Sequence, residues 1–323
     1  MTAWTESAGG RRVLTVLRSR PFLTVAIVAA VWIVASFVSR GFGAYGHLRY
    51  LIELGAVIGL VAAGQTFVVI AGGIDLSVAA IVTVSAVSLP LLSWQADPTG
   101  ITAILAVLAL TTAIGLVNGL GVALLRVHPM IMTLAMATFL QGLLIIVAGG
   151  SAVTAENPLV HWLGNARPAG IPAGVLLWVV VSVIVLTAMH ATSLGARIFA
   201  MGANPLAAAL SGVPVTSTTL TVYGISGFCS GLAGVLVLGM NGQGYVGIGD
   251  PYLLASIAAV VLGGTSILGG RGTYAGTIPG AILLVTITAL ITVVNASPGW
   301  RSILFGSLIL GLLLLSGREQ ARR

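Results

Sequence analysis

Charged side chains are scarce in this sequence. Only 7% of its 323 residues are Asp, Glu, Lys or Arg, whereas a soluble globular protein carries about 25%. Hydrophobic residues make up 58% of the chain, and the mean hydropathy is +1.11. A folded chain with so little polar surface would aggregate in water. The composition therefore excludes an ordinary water-soluble protein and predicts an integral membrane protein.

The near absence of cysteine and the absence of lysine exclude several kinds of site. Cys229 is the only cysteine, so the chain has no internal disulfide, and its apolar surroundings predict a small core residue. Without lysine there is no phosphate-binding loop of the Gly-x-x-x-x-Gly-Lys type. His, Cys and carboxylate residues show no metal-site spacing, and no Ser-His-Asp order indicates a nucleophile. We therefore predict no catalytic site, no metal site and no cofactor in this chain.

Long apolar runs fill most of the chain. A membrane-spanning helix needs about 20 mostly apolar residues, and ten runs approach or reach this length. They cover residues 22–39, 51–72, 76–93, 101–125, 130–149, 172–190, 215–239, 252–268, 275–294 and 301–316. We therefore predict an all-α, polytopic membrane protein with about ten transmembrane helices. One transmembrane domain, 21–317, lies between a cytoplasmic N-terminal segment, 1–20, and a cytoplasmic tail, 318–323.

The placement of arginine predicts the orientation, because cytoplasmic loops carry an excess of basic residues. With the N-terminus in the cytoplasm, ten arginines fall inside and four fall outside. The four outside are Arg40, Arg49, Arg167 and Arg301. Both termini are then cytoplasmic, and the net charge of +7 belongs to loops beside membrane lipid rather than to a nucleic-acid site.

Asp75 is the acid that we expect to be buried in the membrane domain. It stands in Ala-Gly-Gly-Ile-Asp-Leu-Ser, between two apolar runs. An acid inside a membrane segment is costly and is by default a functional hypothesis. Alternatively, Asp75 caps the third helix at its cytoplasmic end. Gly72 and Gly73 would allow the sharp turn that precedes it.

Amide side chains within or near the apolar runs suggest a polar path for a hydroxylated solute. They are Gln65, Asn118, Gln141 and Asn241. The alternative for each is a hydrogen bond between helices, which stabilises packing by about 0.6–2 kcal/mol. Both interpretations remain open from the sequence.

A second glycine-rich break lies at residues 262–273 and contains Arg271. A phosphate cradle is disfavoured because the lysine is missing, so we predict a tight cytoplasmic turn. The segments 68–73 and 259–264 both end in Gly-Gly after four apolar residues. In a chain with 43 glycines this likeness does not establish an internal repeat.

The weakly polar interval 191–214 is predicted to be cytoplasmic. Asn204 is suited to cap a short helix that has Pro205 at its first position, and Gly212 with Pro214 would end it. Such a helix is either a docking surface or a plain turn between two spans.

Four segments in order resemble the permease subunits of ribose-type ABC importers, the group that also serves galactose, arabinose, xylose and autoinducer-2. The segments are 65–78, 128–134, 195–213 and 252–277, and the resemblance covers roughly residues 45–315. This chain departs from the family pattern at Ala196, which follows the first glycine of the third segment, and at Ala203, which replaces a glycine.

The resemblance implies an all-helical importer permease and several partners. These are a cytoplasmic ATPase that binds ATP and Mg, a periplasmic or lipid-anchored solute-binding protein, and a second permease protomer, identical or paralogous. The implied ATPase-coupling residues are Gly195, Arg197, Phe199, Gly202, Asn204, Ala208 and Gly212. The family-motif and pathway candidates are Gln65, Gly72, Gly73, Asp75, Ser77 and Asn118. The second glycine-rich motif contributes Gly263, Gly264, Thr265, Ser266, Gly269, Gly270 and Arg271.

The expected function is therefore inward movement of a small hydrophilic solute, a monosaccharide or related polyol, across the bacterial cytoplasmic membrane by alternating access. The alternative is an ion-coupled secondary transporter. Such carriers depend on buried acids or broken helices near the middle of the membrane, and Asp75 would then be the coupling residue.

Overall fold

The computed structural model describes residues 20–39, 41–92, 99–154 and 156–294, together with 297, 299–300, 303–307 and 310–311. The long helices are α1 (Arg20–Val38), α2 (Tyr45–Ile70), α3 (Val78–Leu92), α4 (Ile101–Ala123), α5 (Pro129–Ala148), α7 (Ala173–Ala191), α10 (Val215–Asn241), α11 (Asp250–Leu262) and α12 (Tyr274–Val293). The shorter elements are β1 (Val153–Thr154), α6 (Pro158–Asn165), a 3-10 turn (Pro168–Gly170), α8 (Ser193–Ala203), α9 (Pro205–Leu210) and β2 (Gln243–Gly244).

The prediction of an all-α, polytopic membrane protein is confirmed. Within the described residues, six helices are long and apolar enough to cross a membrane, namely α2, α4, α5, α7, α10 and α12. Nine of the ten predicted runs correspond to one helix each. The run 301–316 and the two terminal segments fall mostly or wholly outside the described residues. The run 252–268 was predicted too long, because α11 ends at Leu262 and the chain then forms a glycine-rich loop.

Three helices form the centre of the bundle. Most residues of α3 are buried, as are the residues of α2 after Leu54 and most of α10. Helices α4, α5 and α7 lie around them and expose one apolar face each. The exposed face of α4 includes Leu105, Leu110 and Val117, and that of α7 includes Val179 and Val183. These outer faces are suited to contact lipid chains.

Glycines allow α4 and α10 to approach closely. A Cβ added to Gly115 would overlap the carbonyl oxygen of Tyr223, and one added to Gly227 would overlap that of Thr111. Close approach through small residues is typical of helix pairs in membranes, where no hydrophobic effect drives helices together. The glycines therefore determine the separation of these two helices, and every larger residue would force them apart.

Two segments outside the long helices complete the bundle. The polar interval after α5 forms β1, which pairs antiparallel with β2, and α6, which Asn157 caps by accepting hydrogen bonds from two backbone N–H groups. After β2, the chain turns back along α3. Gly249 donates a backbone hydrogen bond to Thr83 Oγ1 at 3.1 Å. Helix α11 therefore begins beside the second turn of α3 and not beside the C-terminal end of α3 at Leu92.

Candidate functional site

Three segments that the sequence analysis singled out meet at one junction. The backbone N–H of Gly270 donates to the carbonyl oxygen of Ile70, the last residue of α2, at 2.8 Å. Gly202, in the last turn of α8, packs against both groups. Gly269 lies between Gly72 and Gly202. We call this contact between residues 70–72, 202–203 and 269–270 the glycine junction.

The junction requires glycine because backbone meets backbone there. A Cβ added to Gly202 would overlap the carbonyl oxygen of Ile70 and lie 2.6 Å from the nitrogen of Gly270. A Cβ on Gly270 would lie 2.9 Å from Cα of Ala203, and φ of Gly270 is +70°. Each contact joins the end of α8 to one of the two glycine-rich breaks, so the three segments have little freedom to move independently.

The two glycine-rich breaks have the same turn at their start. At the end of α2, Gly73 N–H donates to Val68 O at 2.9 Å, and at the end of α11, Thr265 N–H donates to Val260 O at 3.2 Å. This six-to-one bond, with a glycine in the left-handed region before it, is the Schellman arrangement. The φ angles of those glycines are +88° and +89°. The shared turn pairs Val68 with Val260 and Gly72 with Gly264. The likeness of segments 68–73 and 259–264 pairs Gly72 with Gly263 instead, so the common conformation does not follow from that likeness.

Asp75 lies at the centre of a buried hydrogen-bond network. One carboxylate oxygen accepts from the backbone N–H of Ser77 at 2.9 Å and from its hydroxyl at 2.6 Å. The other accepts from the hydroxyl of Ser226, on α10, at 2.7 Å. The amide of Asn118, on α4, donates to Ser77 Oγ at 2.8 Å. Asp75 thus joins the break to two neighbouring helices.

The carboxylate of Asp75 is not the direct cap of α3. Ser77 precedes α3, and its carbonyl oxygen accepts the first helical hydrogen bond, from Ile81 at 2.9 Å. Asp75 binds the N–H of that preceding residue and so forms an Asx turn before the helix. Thr133, on α5, accepts a hydrogen bond from Leu76 N–H at 3.0 Å, which fixes the same turn from the other side.

The predicted pathway amides occupy different environments. Gln65 and Asn118 are fully buried inside the chain, and neither polar atom of the Gln65 side chain has a hydrogen-bond partner among the described residues. Asn241 bonds to the carbonyl oxygen of Val237 on its own helix at 2.8 Å. Gln141 is exposed on α5. Of the four, Gln65 and Asn118 do not reach the outer surface of this chain.

The predicted coupling interval 191–214 forms two short helices. Asn204 Oδ1 accepts from Ala207 N–H at 3.0 Å and Pro205 is the first residue of α9, so the predicted cap is confirmed. Gly212 has a φ of +82° and follows the end of α9. Ala208 is buried, but Leu206 and Leu210 are 72% and 83% exposed. The short helix therefore presents two large apolar side chains outward.

The remaining predicted coupling residues divide by burial. Gly195 packs against the carbonyl oxygen of Met189, and Phe199 packs against the main core. Arg197 is exposed. Helix α8 therefore anchors the interval to the bundle, while its charged residue and α9 remain accessible.

The second glycine-rich motif is a compact loop with an exposed arginine. Ser266 N–H donates to the carbonyl oxygen of Arg271 at 2.9 Å, which closes the loop. Gly263 packs against Gly276 of α12. Thr265 is buried, and Arg271 is exposed. The loop is a compact turn, and its cytoplasmic location stays a prediction.

Sequence reasoning missed several residues of this region. The expectation that Asp75 would be the one buried acid is wrong, because Glu53 of α2 is only 9% exposed. Ser226 and Thr133, which bind the break, gave no signal, because serine and threonine are frequent in all the apolar runs. Tyr223 of α10 also lies against the break, since its hydroxyl is 2.7 Å from the Cβ that Gly73 would carry.

This arrangement is typical of a membrane transport protein. Long apolar helices surround buried polar joints and interrupted helices, features that mark solute or ion paths in membranes. Among the described residues, no group of three His, Cys, Asp or Glu side chains is arranged to hold a metal. The fold therefore defines a multi-pass membrane protein of the transporter class.

The chain belongs to a family of permease components. The family model described as "Branched-chain amino acid transport system / permease component" matches residues 48–313. The ribose import permease protein RbsC of Escherichia coli K12 is 32% identical over 98% of this chain and 99% of that protein. RbsC of Bacillus subtilis is 33% identical over 93% of each chain. The L-arabinose transport system permease protein AraH of Escherichia coli K12 is 30% identical, over 91% and 89%.

Proposed function

We propose that this chain is the membrane-spanning permease subunit of an ATP-binding-cassette importer that moves a monosaccharide or related polyol inward. Its relatives are named for ribose and for L-arabinose, and a further one, FrcC of Rhizobium meliloti, for fructose. The family description instead names branched-chain amino acids. Because the relatives named for sugars each match more than 90% of this chain, we favour a sugar.

The glycine junction is the observation that supports an ATP-driven mechanism best. Helix α9 presents Leu206 and Leu210 outward, and an exposed apolar helix is suited to a groove on another protein. Through α8 and Gly202, this helix touches the ends of both glycine-rich breaks. Movement of a partner bound at α9 would therefore reach α2, α3, α11 and α12 through backbone contacts.

The partners follow from this mechanism. A cytoplasmic ATPase that binds ATP and Mg would dock on residues 191–214. A second permease protomer, identical or paralogous, would complete the path by alternating access, and a periplasmic or lipid-anchored binding protein would deliver the solute. The chain would reside in the bacterial cytoplasmic membrane with both termini inside, the orientation that the arginine distribution favours.

An ion-coupled secondary transporter is the second candidate, and the buried carboxylate of Asp75 favours it. Coupling acids in such carriers bind and release an ion or a proton. Both oxygens of Asp75 already accept hydrogen bonds from Ser77 and Ser226. These hydrogen bonds give the buried carboxylate a structural role that needs no bound ion. We therefore place the ATP-driven importer first.

Uptake by a reconstituted complex separates the two candidates. The chain would be placed in vesicles with its cognate ATPase and binding protein, and uptake of labelled ribose, arabinose, fructose and leucine would be measured with ATP or with ADP. We expect sugar uptake that requires ATP. Uptake that ignores ATP and follows an imposed proton or sodium gradient would establish the secondary carrier instead, and ATP-dependent leucine uptake alone would overturn the sugar assignment.

A further inference from the structure

The segment between β2 and α11 places an acid well inside the membrane domain. Gly244 packs against the carbonyl oxygen of Ala86, and Gly249 packs against that of Ala79. The two contacts are seven residues apart on α3, a distance of about 10 Å along a helix. Since α3 ends at Leu92, Asp250 lies beside the first two turns of α3, far from that end.

Two polar side chains at this depth are exposed. Asp250 is exposed and Tyr245 is 43% exposed. A carboxylate facing lipid at such a depth is strongly disfavoured, and acids in these positions face a water-filled cavity or a polar surface. The exposed faces of α4 and α7 carry large aliphatic side chains instead. The face that contains Asp250 therefore differs from the lipid-facing surface.

Two of three nearby tyrosines lie on helices that pack together. Tyr252, in the first turn of α11, packs against the core cluster that contains Leu51 of α2, the residue next to Tyr50, and Tyr245 precedes α11 in the same stretch of chain. Tyr50, near the start of α2, is 50% exposed. Tyr252 packs partly against both main core clusters, which fixes the position of its ring. The rings of Tyr50 and Tyr245 are more exposed. Asp250 lies two residues before Tyr252.

The chemistry of this cluster fits an uncharged hydroxylated ring. A tyrosine presents an apolar ring face and a hydroxyl that donates and accepts. An ionised carboxylate accepts several hydrogen bonds, as adjacent sugar hydroxyls would donate. A few convergent polar groups among apolar surfaces are typical of small-molecule sites. The negative charge would also disfavour anionic solutes.

We propose that Tyr50, Tyr245, Asp250 and Tyr252 form a binding site for the solute on the translocation path, facing the second protomer across a water-filled space. This proposal rests on the proposed function, because it specifies where the path runs along this chain. It assigns the solute contact to the N-terminal turns of α2 and α11, and it excludes the buried amides Gln65 and Asn118 from direct contact.

Water access tests the location without measuring transport. Cys229 is the only native cysteine and is 2% exposed, so single cysteines introduced elsewhere give a clean signal. In right-side-out vesicles that hold the assembled complex, we expect a membrane-impermeant methanethiosulfonate reagent to label Tyr245→Cys and Asp250→Cys. The control is Val183→Cys on α7, where the native side chain is 59% exposed, and we expect no labelling there. Absence of labelling at both 245 and 250 would overturn the proposal.

Protection and transport then test binding. Ribose, arabinose and fructose would each be added to the vesicles, and the sugar that is transported should slow labelling of Tyr245→Cys. Asp250→Asn and Tyr252→Phe should raise the KM for uptake of that sugar by about 10-fold, the effect of one or two lost polar contacts. Tyr45→Phe, which changes a 76% exposed tyrosine at the start of α2, should leave the KM unchanged.

The outcomes separate this proposal from the function on which it rests. ATP-driven uptake with an unchanged KM in Asp250→Asn and Tyr252→Phe would overturn the site and leave the importer intact. Labelling at 245 and 250 with uptake driven by an ion gradient would support a water-lined path and overturn the ATP-driven importer. Labelling that no transported sugar slows would overturn the binding role of the cluster.

Discussion

The two glycine-rich breaks begin with the same turn and then differ in their chemistry. After α2, residues 71–77 lead to Asp75, which is fully buried and accepts hydrogen bonds from Ser77 and Ser226. After α11, residues 263–273 lead to Arg271, which is exposed. Both breaks touch the end of α8 at the glycine junction. One break is thus fixed to the bundle by a buried network, whereas the charge of the other is free at the surface.

This difference shows what the shared turn can and cannot specify. A glycine pair after an apolar helix determines where the helix stops and how the chain leaves it. The residues that follow determine whether the next segment is buried or exposed. We infer that the break with Asp75 is the fixed part of the junction and that the loop with Arg271 is the part better able to respond to a partner at α8 and α9.

The largest expected effect separates the two charged residues. Asp75→Ala leaves three buried hydrogen-bond donors without their acceptor, each a loss of about 1–3 kcal/mol, so we expect a chain that folds poorly or not at all. Arg271→Ala, at an exposed position, should change stability by less than about 0.5 kcal/mol. Thermal unfolding of the detergent-solubilised variants measures both. Equal destabilisation by the two changes would remove the distinction between the breaks.

Asp75→Asn refines that experiment because it keeps an acceptor oxygen and the volume of the side chain. We expect this variant to fold with a loss of about 1 kcal/mol, while ATP-driven uptake falls if the charge is also used. Normal folding together with normal uptake would show that Asp75 serves only as a hydrogen-bond acceptor.

The next prediction concerns Gly202, which joins the two glycine-rich breaks at the glycine junction. Gly202→Ala should destabilise the chain by about 1–3 kcal/mol, because the added carbon overlaps backbone atoms at the junction. Uptake should fall while ATP hydrolysis by the complex continues. The control is Gly142→Ala on α5, where a Cβ meets nothing within 4 Å and helix propensity favours alanine by about 1 kcal/mol. Gly202→Ala with normal coupled transport would contradict the assignment of this contact.

A smaller effect tests whether the two turns are equivalent. Gly72 and Gly264 have φ angles of +88° and +89°, a region that costs a residue with a Cβ about 1–2 kcal/mol. We expect Gly72→Ala and Gly264→Ala to lower stability by similar amounts, and Gly72→Asn to lower it less because Asn tolerates this conformation. Unfolding temperatures that differ widely between the two alanine variants would show that the turns are not equivalent.

The smallest effect isolates one hydrogen bond of the Asp75 network. Ser226→Ala removes the donor to one carboxylate oxygen and should lower stability by about 1 kcal/mol. Ser230 lies one turn further along α10, is fully buried, and its hydroxyl has no hydrogen-bond partner among the described residues. Ser230→Ala should therefore be neutral or stabilising. If both variants lose the same stability, the bond from Ser226 contributes nothing specific.

The fold could be predicted from the sequence to the extent that it depends on local patterns. Apolar runs identified nine helices because a membrane span requires a minimum length of apolar chain. The cap at Asn204 followed from its position before Pro205. The end of α11 was misplaced, since Ile267 and Leu268 continue the apolar composition beyond the turn that Gly263 begins.

The site depended on contacts that local patterns do not encode. Gly202, Gly270 and Ile70 are far apart in the chain, and their meeting follows from how whole helices pack. Asp75 was recognisable as a rare acid, but its partner Ser226 lies 151 residues later among many equivalent hydroxyl residues. Glu53 was overlooked because it follows a polar stretch near the start of α2 that reads as exposed.

The separation of 151 residues between Asp75 and Ser226 also has a consequence for synthesis. Ribosomes add about 5–20 residues per second, so Asp75 emerges about 8–30 s before the hydroxyl that completes its network. During that interval α3 and α4 are made, while the carboxylate lacks its partner on α10. The early helices would therefore need water or the membrane insertion machinery beside Asp75 until α10 arrives, so insertion of this chain is completed late and from its second half.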